Sequence, residues 1–335
     1  MRYSDFSLKK WILAVVFAPA VFFSLVTAVL VAGCTFVIDE GEEETLALRV
    51  SFMDVGQGLA VLLEYGGRFA LYDTGPDSAG VMDSLVARGV DTLEWVVVSH
   101  GHRDHAGGFM ELAGSAQAED GLFRAGEGLL KVGDAPRVYV RRLYVGPDTA
   151  GGFVRDSVLG LARRFDIPVD TLVRGFSLGQ ISGCGSIAGG DCAGSGDAPQ
   201  FDVLWPPDYV HESGNPASVV LRAEFGAASM LLTGDLDSAG ERRLLELSPT
   251  LSADLLQVPH HGSAGSSTLR FLSQVAPDYA VIGVGAGNGY GHPREEVLRK
   301  LGLVLGDTAR LYRTDLQGSV GFELWPDLGV VTGRD

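Results

Sequence analysis

Three histidines and an aspartate fall within six residues of this chain, in the string Ser99-His100-Gly101-His102-Arg103-Asp104-His105. The 335 residues contain only seven histidines, and two of the remaining four are adjacent, at His260 and His261. Neutral imidazoles and carboxylates are ligands for zinc, and for manganese or iron at the harder end. Two ligand pairs at such short spacing, His100 with His102 and Asp104 with His105, point to two divalent metals rather than one. His100 and His102 alternate with Gly101, so an extended backbone turns both side chains the same way. Asp73 and Asp235 are further candidates, each following an apolar stretch: Phe69-Ala70-Leu71-Tyr72 and Met230-Leu231-Leu232-Thr233-Gly234. Taken singly, Asp73 reads equally as a turn residue and Asp235 as a helix N-cap.

The elements that must position these residues are legible from periodicity. Strands are expected at Leu46–Met53, Ala60–Glu64 and Arg68–Tyr72, with Asp73-Thr74-Gly75-Pro76 supplying turn chemistry for that hairpin. A helix over Gly80–Arg88 leads to the valine-rich strand Leu93–Val98, whose end carries the histidine cluster. Residues 114–137 read as a loop-rich excursion, Val138–Val145 as a strand and Val154–Phe165 as a helix. Ser182–Pro199 has loop composition. Strands follow at Phe201–Trp205, Ser218–Phe225 and Ser229–Thr233, then a helix over Ser238–Leu247. A strand at Asp254–Val258 leads to His260 and His261. A helix at Ser267–Val275, a strand at Tyr279–Gly283, a helix at Arg294–Leu301 and three strands over Ala309–Thr332 complete the pattern. Strands interleaved with helices predict a layered α/β domain, and no linker divides residues 46–335. Every candidate ligand follows a strand, on the loops where α/β sheets build sites.

The remaining composition bounds location and partners. Lys9 and Lys10 precede an uncharged, largely apolar run from Trp11 to Gly33 that ends Leu30-Val31-Ala32-Gly33-Cys34. A basic start, an apolar stretch and small residues before a cysteine resemble a bacterial lipoprotein signal. That resemblance implies lipid attachment at Cys34 and removal of residues 1–33. The run is also long enough to span a bilayer as an uncleaved anchor. Either way, the catalytic part is expected outside the cytoplasm and held to a membrane. Residues 34–45, rich in Asp and Glu, read as an acidic tether. Cys184 and Cys192, in a glycine-rich loop, read as a disulfide in an oxidising compartment, or else as metal thiolates. The formal net charge of -16 leaves no general basic footprint for nucleic acid. A local basic face from Arg103, Arg141, Arg142, Arg155, Arg163 and Arg164 remains open.

Several strings, in order, resemble the metallo-β-lactamase superfamily, and within it the metallo-β-lactamase-like domain of ComEC-type DNA-uptake proteins. They are Asp54-Val55-Gly56-Gln57-Gly58, Asp73-Thr74-Gly75, the His-x-His-x-Asp-His cluster, Asn215 and Ser218 before a strand, and Thr233-Gly234-Asp235. Val258-Pro259-His260-His261-Gly262-Ser263, Tyr290-Gly291-His292-Pro293 and Tyr312-Arg313-Thr314-Asp315 follow. The match covers about residues 48–325, and nothing in the chain would form a DNA pore. The resemblance implies a four-layered αββα sandwich. It implies that His100 and His102 bind one metal, that Asp104 and His105 bind a second, and that Asp235 bridges them. One of His260 and His261 would complete the second site. Asp73, Asp54, Asn215 and Ser218 would support the ligands from behind. Two departures stand out: the extra histidine of hydrolytic lactamases has no counterpart, which would weaken the first metal site, and Leu59 replaces an aspartate.

The expected reaction is hydrolysis by a metal-activated hydroxide, with zinc or manganese and no organic cofactor. Asp104 would orient the nucleophile, and His292 would contact the scissile group or protonate the leaving oxygen. Ser263, with Ser266 and Ser267, would open the following helix, where they either hold a phosphate oxygen or only cap it. The leading expectation is a membrane-tethered phosphodiesterase or nuclease with DNA or another phosphodiester as substrate. The alternatives are a hydrolase of a lactone, β-lactam or phosphocholine-type ester, or a binding lipoprotein on the same fold.

Overall fold

Alternating apolar residues lay the chain down as two sheets. The computed structural model describes residues 46–114, 138–147, 152–178, 181, 198–207, 214–248 and 251–333. The N-terminal segment with Cys34, the tether, and both Cys184 and Cys192 lie outside the described residues. The strands are β1 (Leu48–Phe52), β2 (Val61–Tyr65), β3 (Arg68–Tyr72), β4 (Thr92–Val98), β5 (Tyr139–Val140), β6 (Leu143–Val145), β7 (Val169–Thr171) and β8 (Gln200–Trp205). They continue as β9 (Val220–Phe225), β10 (Ala228–Leu232), β11 (Leu255–Gln257), β12 (Tyr279–Ile282), β13 (Leu311–Arg313), β14 (Val320–Trp325) and β15 (Gly329–Gly333). The helices are α1 (Val81–Ala87), α2 (Arg103–Ala106), α3 (Phe109–Gly114), α4 (Phe153–Arg164), α5 (Ser238–Leu247), α6 (Leu269–Val275), α7 (Glu295–Leu305) and α8 (Thr314–Gln317).

The first sheet runs β15-β14-β1-β2-β3-β4-β6-β7, with β5 also beside β4. The second runs β13-β12-β11-β10-β9-β8. Leu48, Val50 and Phe52 of β1, Trp95 and Val97 of β4, Met230 and Leu232 of β10, and Phe322 of β14 all enter the core between the sheets. Leu93, Val96 and Val98 of β4 face the other way, against Leu85 of α1, Phe109 of α3 and Val158 of α4. Leu231, Leu256 and Ile282 of the second sheet meet Leu244 of α5, Phe271 of α6 and Leu301 of α7. Helix, sheet, sheet and helix form four layers, as the sequence led one to expect. Strand β4 is apolar on both faces because both are covered. Each fully buried Leu or Phe in these layers contributes about 1.5–3 kcal/mol.

Several local expectations are corrected. The β2–β3 hairpin turns at Gly66-Gly67, both at positive φ (58° and 72°), a pairing suited to the twist of flanking strands. Asp73-Thr74-Gly75 instead follows β3, on its way to α1. The expected strand Val138–Val145 is divided at Arg141 and Arg142, whose side chains pair with Glu94 and Asp170. Helix α6 begins at Leu269, with Thr268 as the N-cap accepting from the Phe271 amide, so Ser263, Ser266 and Ser267 precede the helix rather than open it. Ser267 takes a left-handed φ of 56°, which interrupts any earlier start. Helix α7 runs on to Leu305 because Val297, Leu301 and Leu305 continue one buried stripe. The short, largely exposed strand β7 carried no periodic signal.

Candidate metal centre

Every candidate ligand lies just beyond the C-terminal end of a strand. Asp73 follows β3, His100 and His102 follow β4, and Asp104 and His105 stand on α2 immediately after. Asp235 follows β10, and His260 and His261 follow β11. Because β3 pairs parallel with β4, and β10 with β11, within each sheet these ends share an edge, as at other α/β sites.

The side chains converge on Asp235, which is buried. Its Oδ1 lies 3.0 Å from His105 Nε2 and 3.4 Å from His261 Nε2. Its Oδ2 lies 3.9 Å from His100 Nε2 and 3.8 Å from His260 Nε2. Ligand atoms of Asp104, His105, Asp235 and His261 all fall within 4.8 Å of one another, as do those of His100, His102 and Asp235. Two groups therefore share one carboxylate. The adjacent histidines divide between them: His261 belongs with Asp104 and His105, whereas His260 stands on the His100 side.

Hydrogen bonds behind the ligands determine which imidazole nitrogen faces inward. His105 Nδ1 donates to Asp73 Oδ2 at 2.7 Å, and His261 Nδ1 donates to the Gly283 carbonyl at 2.7 Å. Ser99 Oγ donates to Asp73 Oδ2 at 2.8 Å, so it accepts from His100 Nδ1 at 3.0 Å. One buried carboxylate, Asp73, thus orients His105 directly and His100 through Ser99. All three Nε2 atoms face the carboxylates. There each holds a proton or offers a lone pair to a cation.

The electrostatics fit a cation. His105 Nε2 and His261 Nε2 lie 3.1 Å apart, a contact that needs positive charge between them. His100 Nε2 is buried without a hydrogen-bond partner among the described residues. Burial opposes charge on His105, yet Asp235 and Asp73 outweigh it and hold its pKa well above the ordinary value. His261 is raised in the same way by Asp235 and Asp104. Burial would raise Asp235, but His105 and His261 hold it well below the usual carboxylate range. Burial, then the charge of His105, pushes His100 well down, which suits a neutral ligand. The residues present fit divalent metals.

Residues with no sequence signature hold the loops. Gln257 is buried; its Oε1 accepts from the Thr233 and Gly234 amides, and its Nε2 donates to the Gly234 and Val258 carbonyls. Its only sequence signal is a polar residue within an apolar strand. Buried Glu241 accepts from the Ser267 and Thr268 amides and anchors the segment after His261. Gly234, at φ +53°, approaches so closely that a Cβ there would sit 2.8 Å from Ser99 Oγ. Asp73, His260 and His261 take left-handed φ values of 58°, 54° and 52°, backbone strain of a kind that gathers at functional sites.

The other expected site residues divide. Ser218 Oγ accepts from the Asp235 amide at 3.1 Å, and Asn215 Nδ2 lies 3.1 Å from His260 Nε2. His292 lies with its ring centroid 5.9 Å from that of His260 and stacks on the exposed Tyr290. Burial, then His260 and His261, lowers its pKa. Asn288 ties its loop, donating to the Gly285 and His292 carbonyls and accepting from the His292 amide. Asn288→Ala is expected to lower kcat about tenfold while leaving metal content unchanged, as checked by steady-state kinetics beside elemental analysis.

Asp54 does not support a ligand: its carboxylate is exposed and accepts from the Gly56 amide. From the same loop, Gln57 Oε1 accepts from the Gly285 amide. Ser263 Oγ accepts from the Gly265 amide, and its own amide donates to the His260 carbonyl. Leu59 is buried in the core between the sheets. The expected basic face does not form as a unit, because Arg103, Arg141 and Arg142 are each in an ion pair with Asp77, Glu94 and Asp170.

Residues 53–285 match the family described as the metallo-beta-lactamase superfamily. Competence protein ComA of Neisseria gonorrhoeae is 31% identical over 279 residues, covering 82% of this chain and 32% of that protein. ComE operon protein 3 of Bacillus subtilis (strain 168) is 29% identical over 295 residues, covering 82% and 33%. The chain thus spans about a third of the length of these curated relatives. Among solved structures, it is similar to the metallo-beta-lactamase fold protein YhfI from Bacillus subtilis, with 13% identity, a TM-score of 0.46, and coverage of 79% of this chain and 95% of that chain.

Proposed function

This chain belongs to the metallo-β-lactamase superfamily, and on that premise we propose that it is a metal-dependent hydrolase of phosphodiesters, of nuclease type, held at a membrane outside the cytoplasm. The observation that carries this reading is the pair of ligand groups sharing Asp235. His100, His102 and Asp235, with His260 beside them, would hold one divalent ion; Asp104, His105, Asp235 and His261 would hold the other. When bound, zinc or manganese supplies Lewis acidity and lowers the pKa of water toward neutrality. Asp73 and Ser99 keep the imidazoles aligned for that task, and half-buried Asp104, beside His261, can orient the attacking group. His292 stands beside His260, where it can contact the leaving side of the substrate. Similarity to competence proteins supports a phosphodiester over a lactone or β-lactam. The basic, apolar N-terminal run and Cys34 support a tether.

The test is metal content measured together with activity. The full chain, purified in detergent, is analysed for bound metals and assayed on bis(p-nitrophenyl) phosphate with added manganese or zinc. The Asp104→Ala, His105→Ala double variant is run beside it. Near two metals per chain, with hydrolysis lost by at least about a thousandfold in the variant, is the expected result. Metal without phosphodiester hydrolysis would transfer the reading to another ester, and no metal under any loading would leave a binding protein.

A further inference from the structure

A cleft of about 520 Å³ opens beside the centre, and His102, Asn215 and His260 form part of its lining. One wall is formed by Gly101 with the start of α4, Gly152 and Arg155. A Cβ on Gly101 would sit 3.3 Å from Arg155 Cβ, so the arginine stem lies against the link between the two histidines. We propose that this wall is a subsite for an anionic group of the substrate next to the scissile bond, with Arg155 as the residue that recognises it. The inference rests on the phosphodiester reading and deepens it: the preferred substrate carries a second phosphate flanking the one that is cut.

Three observations carry it. Arg103, Arg141 and Arg142 are in ion pairs, whereas Arg155 has no carboxylate within ion-pair distance among the described residues. The carboxylate that shares the cleft, Asp237, is engaged as the N-cap of α5, accepting from the Gly240 amide. The first turn of α4, which carries Gly152 and Arg155 to the cleft, has no side-chain cap among the described residues, and its acidic residue, Asp156, is exposed and not part of the cleft lining. A half-buried arginine lining a cleft suits phosphate, which a guanidinium can hold through paired hydrogen bonds. In a chain of net charge -16, such a local cation is also what an anionic substrate requires.

The experiment compares two substrates and one ligand on the metal-loaded full chain. The substrates are thymidine dinucleotide without terminal phosphates and the same dinucleotide phosphorylated at both ends. The ligand is thymidine 3′,5′-bisphosphate, titrated calorimetrically. Wild type is expected to prefer the phosphorylated substrate. Arg155→Ala is expected to cut that preference, as a ratio of kcat/KM values, by about tenfold or more. It is also expected to weaken bisphosphate binding by a similar factor, and Arg155→Lys to retain part of both. Arg299→Ala, an equal loss of charge on an exposed face of α7, controls for net charge, and thermal unfolding controls for folding. An unchanged ratio and unchanged binding in Arg155→Ala would overturn the subsite. If wild type cleaves neither dinucleotide, the phosphodiester reading fails. The binding arm still decides whether Arg155 holds an anion.

Discussion

Asp235→Ala is expected to reduce bound metal from two ions per chain to one or fewer and to lower hydrolysis by at least about a thousandfold, equivalent to about 4 kcal/mol of transition-state stabilisation. Asp235 is the one side chain common to both ligand groups, with Oδ1 toward His105 and His261 and Oδ2 toward His100 and His260. Losing any other ligand leaves the opposite group complete; losing this one weakens both. Asp235→Asn separates charge from shape, because it keeps the volume and one carbonyl oxygen but removes the negative charge. It is expected to fall nearly as far as alanine, since the surrounding imidazoles are oriented toward an anion. Elemental analysis and kinetics check the outcome, and metal-free thermal unfolding shows whether the fold survives. Retention of two metals in either variant would sink the shared-carboxylate arrangement.

Gln257→Leu is expected to destabilise the protein by about 3–5 kcal/mol, lowering its thermal midpoint by roughly 10 °C. The substitution nearly conserves volume, so packing alone would cost little. What it removes is the acceptor for two buried amides, Thr233 and Gly234, and the donor to the Gly234 and Val258 carbonyls. Buried polar groups left without partners carry their full desolvation cost. The same bonds tie the turn bearing Asp235 to the strand end bearing His260 and His261. Metal affinity is therefore expected to fall along with stability. A midpoint within 2 °C of wild type would show that water or local rearrangement replaces the lost bonds.

Much of this centre was legible in the chain before its fold was seen. Strand periodicity placed Asp73, His100, Asp235 and His260 at strand ends, and the residue types named the chemistry. Helices α1, α4 and α5 matched their expected spans closely because their apolar spacing and flanking glycines or caps are local signals. Short elements were less legible. Strand β7 has no alternation to read, and the start of α6 depends on Glu241, which contacts Ser267 from a helix 26 residues earlier. Asp54 looked like a supporting carboxylate because of its string, yet its loop turns it outward onto the Gly56 amide. The arginines looked like a basic face until ion pairs claimed three of them, which leaves Arg155 alone of that set against the cleft.

By itself, the amino-acid sequence determined the ligand types, their order along the chain and the layered α/β architecture. Those properties follow from side-chain chemistry and from periods of two and three to four residues, all short-range. Only the tertiary structure decided which histidine of the adjacent pair joins which group. That choice rests on left-handed backbone at His260 and His261 and on the Gly283 carbonyl 22 residues beyond. Only it showed Asp73 orienting His105 across 32 positions, and His105 meeting His261 across 156. The direction in which a side chain points at a strand end is set by partners that reach it through folding, and spacing along the chain carries no record of them.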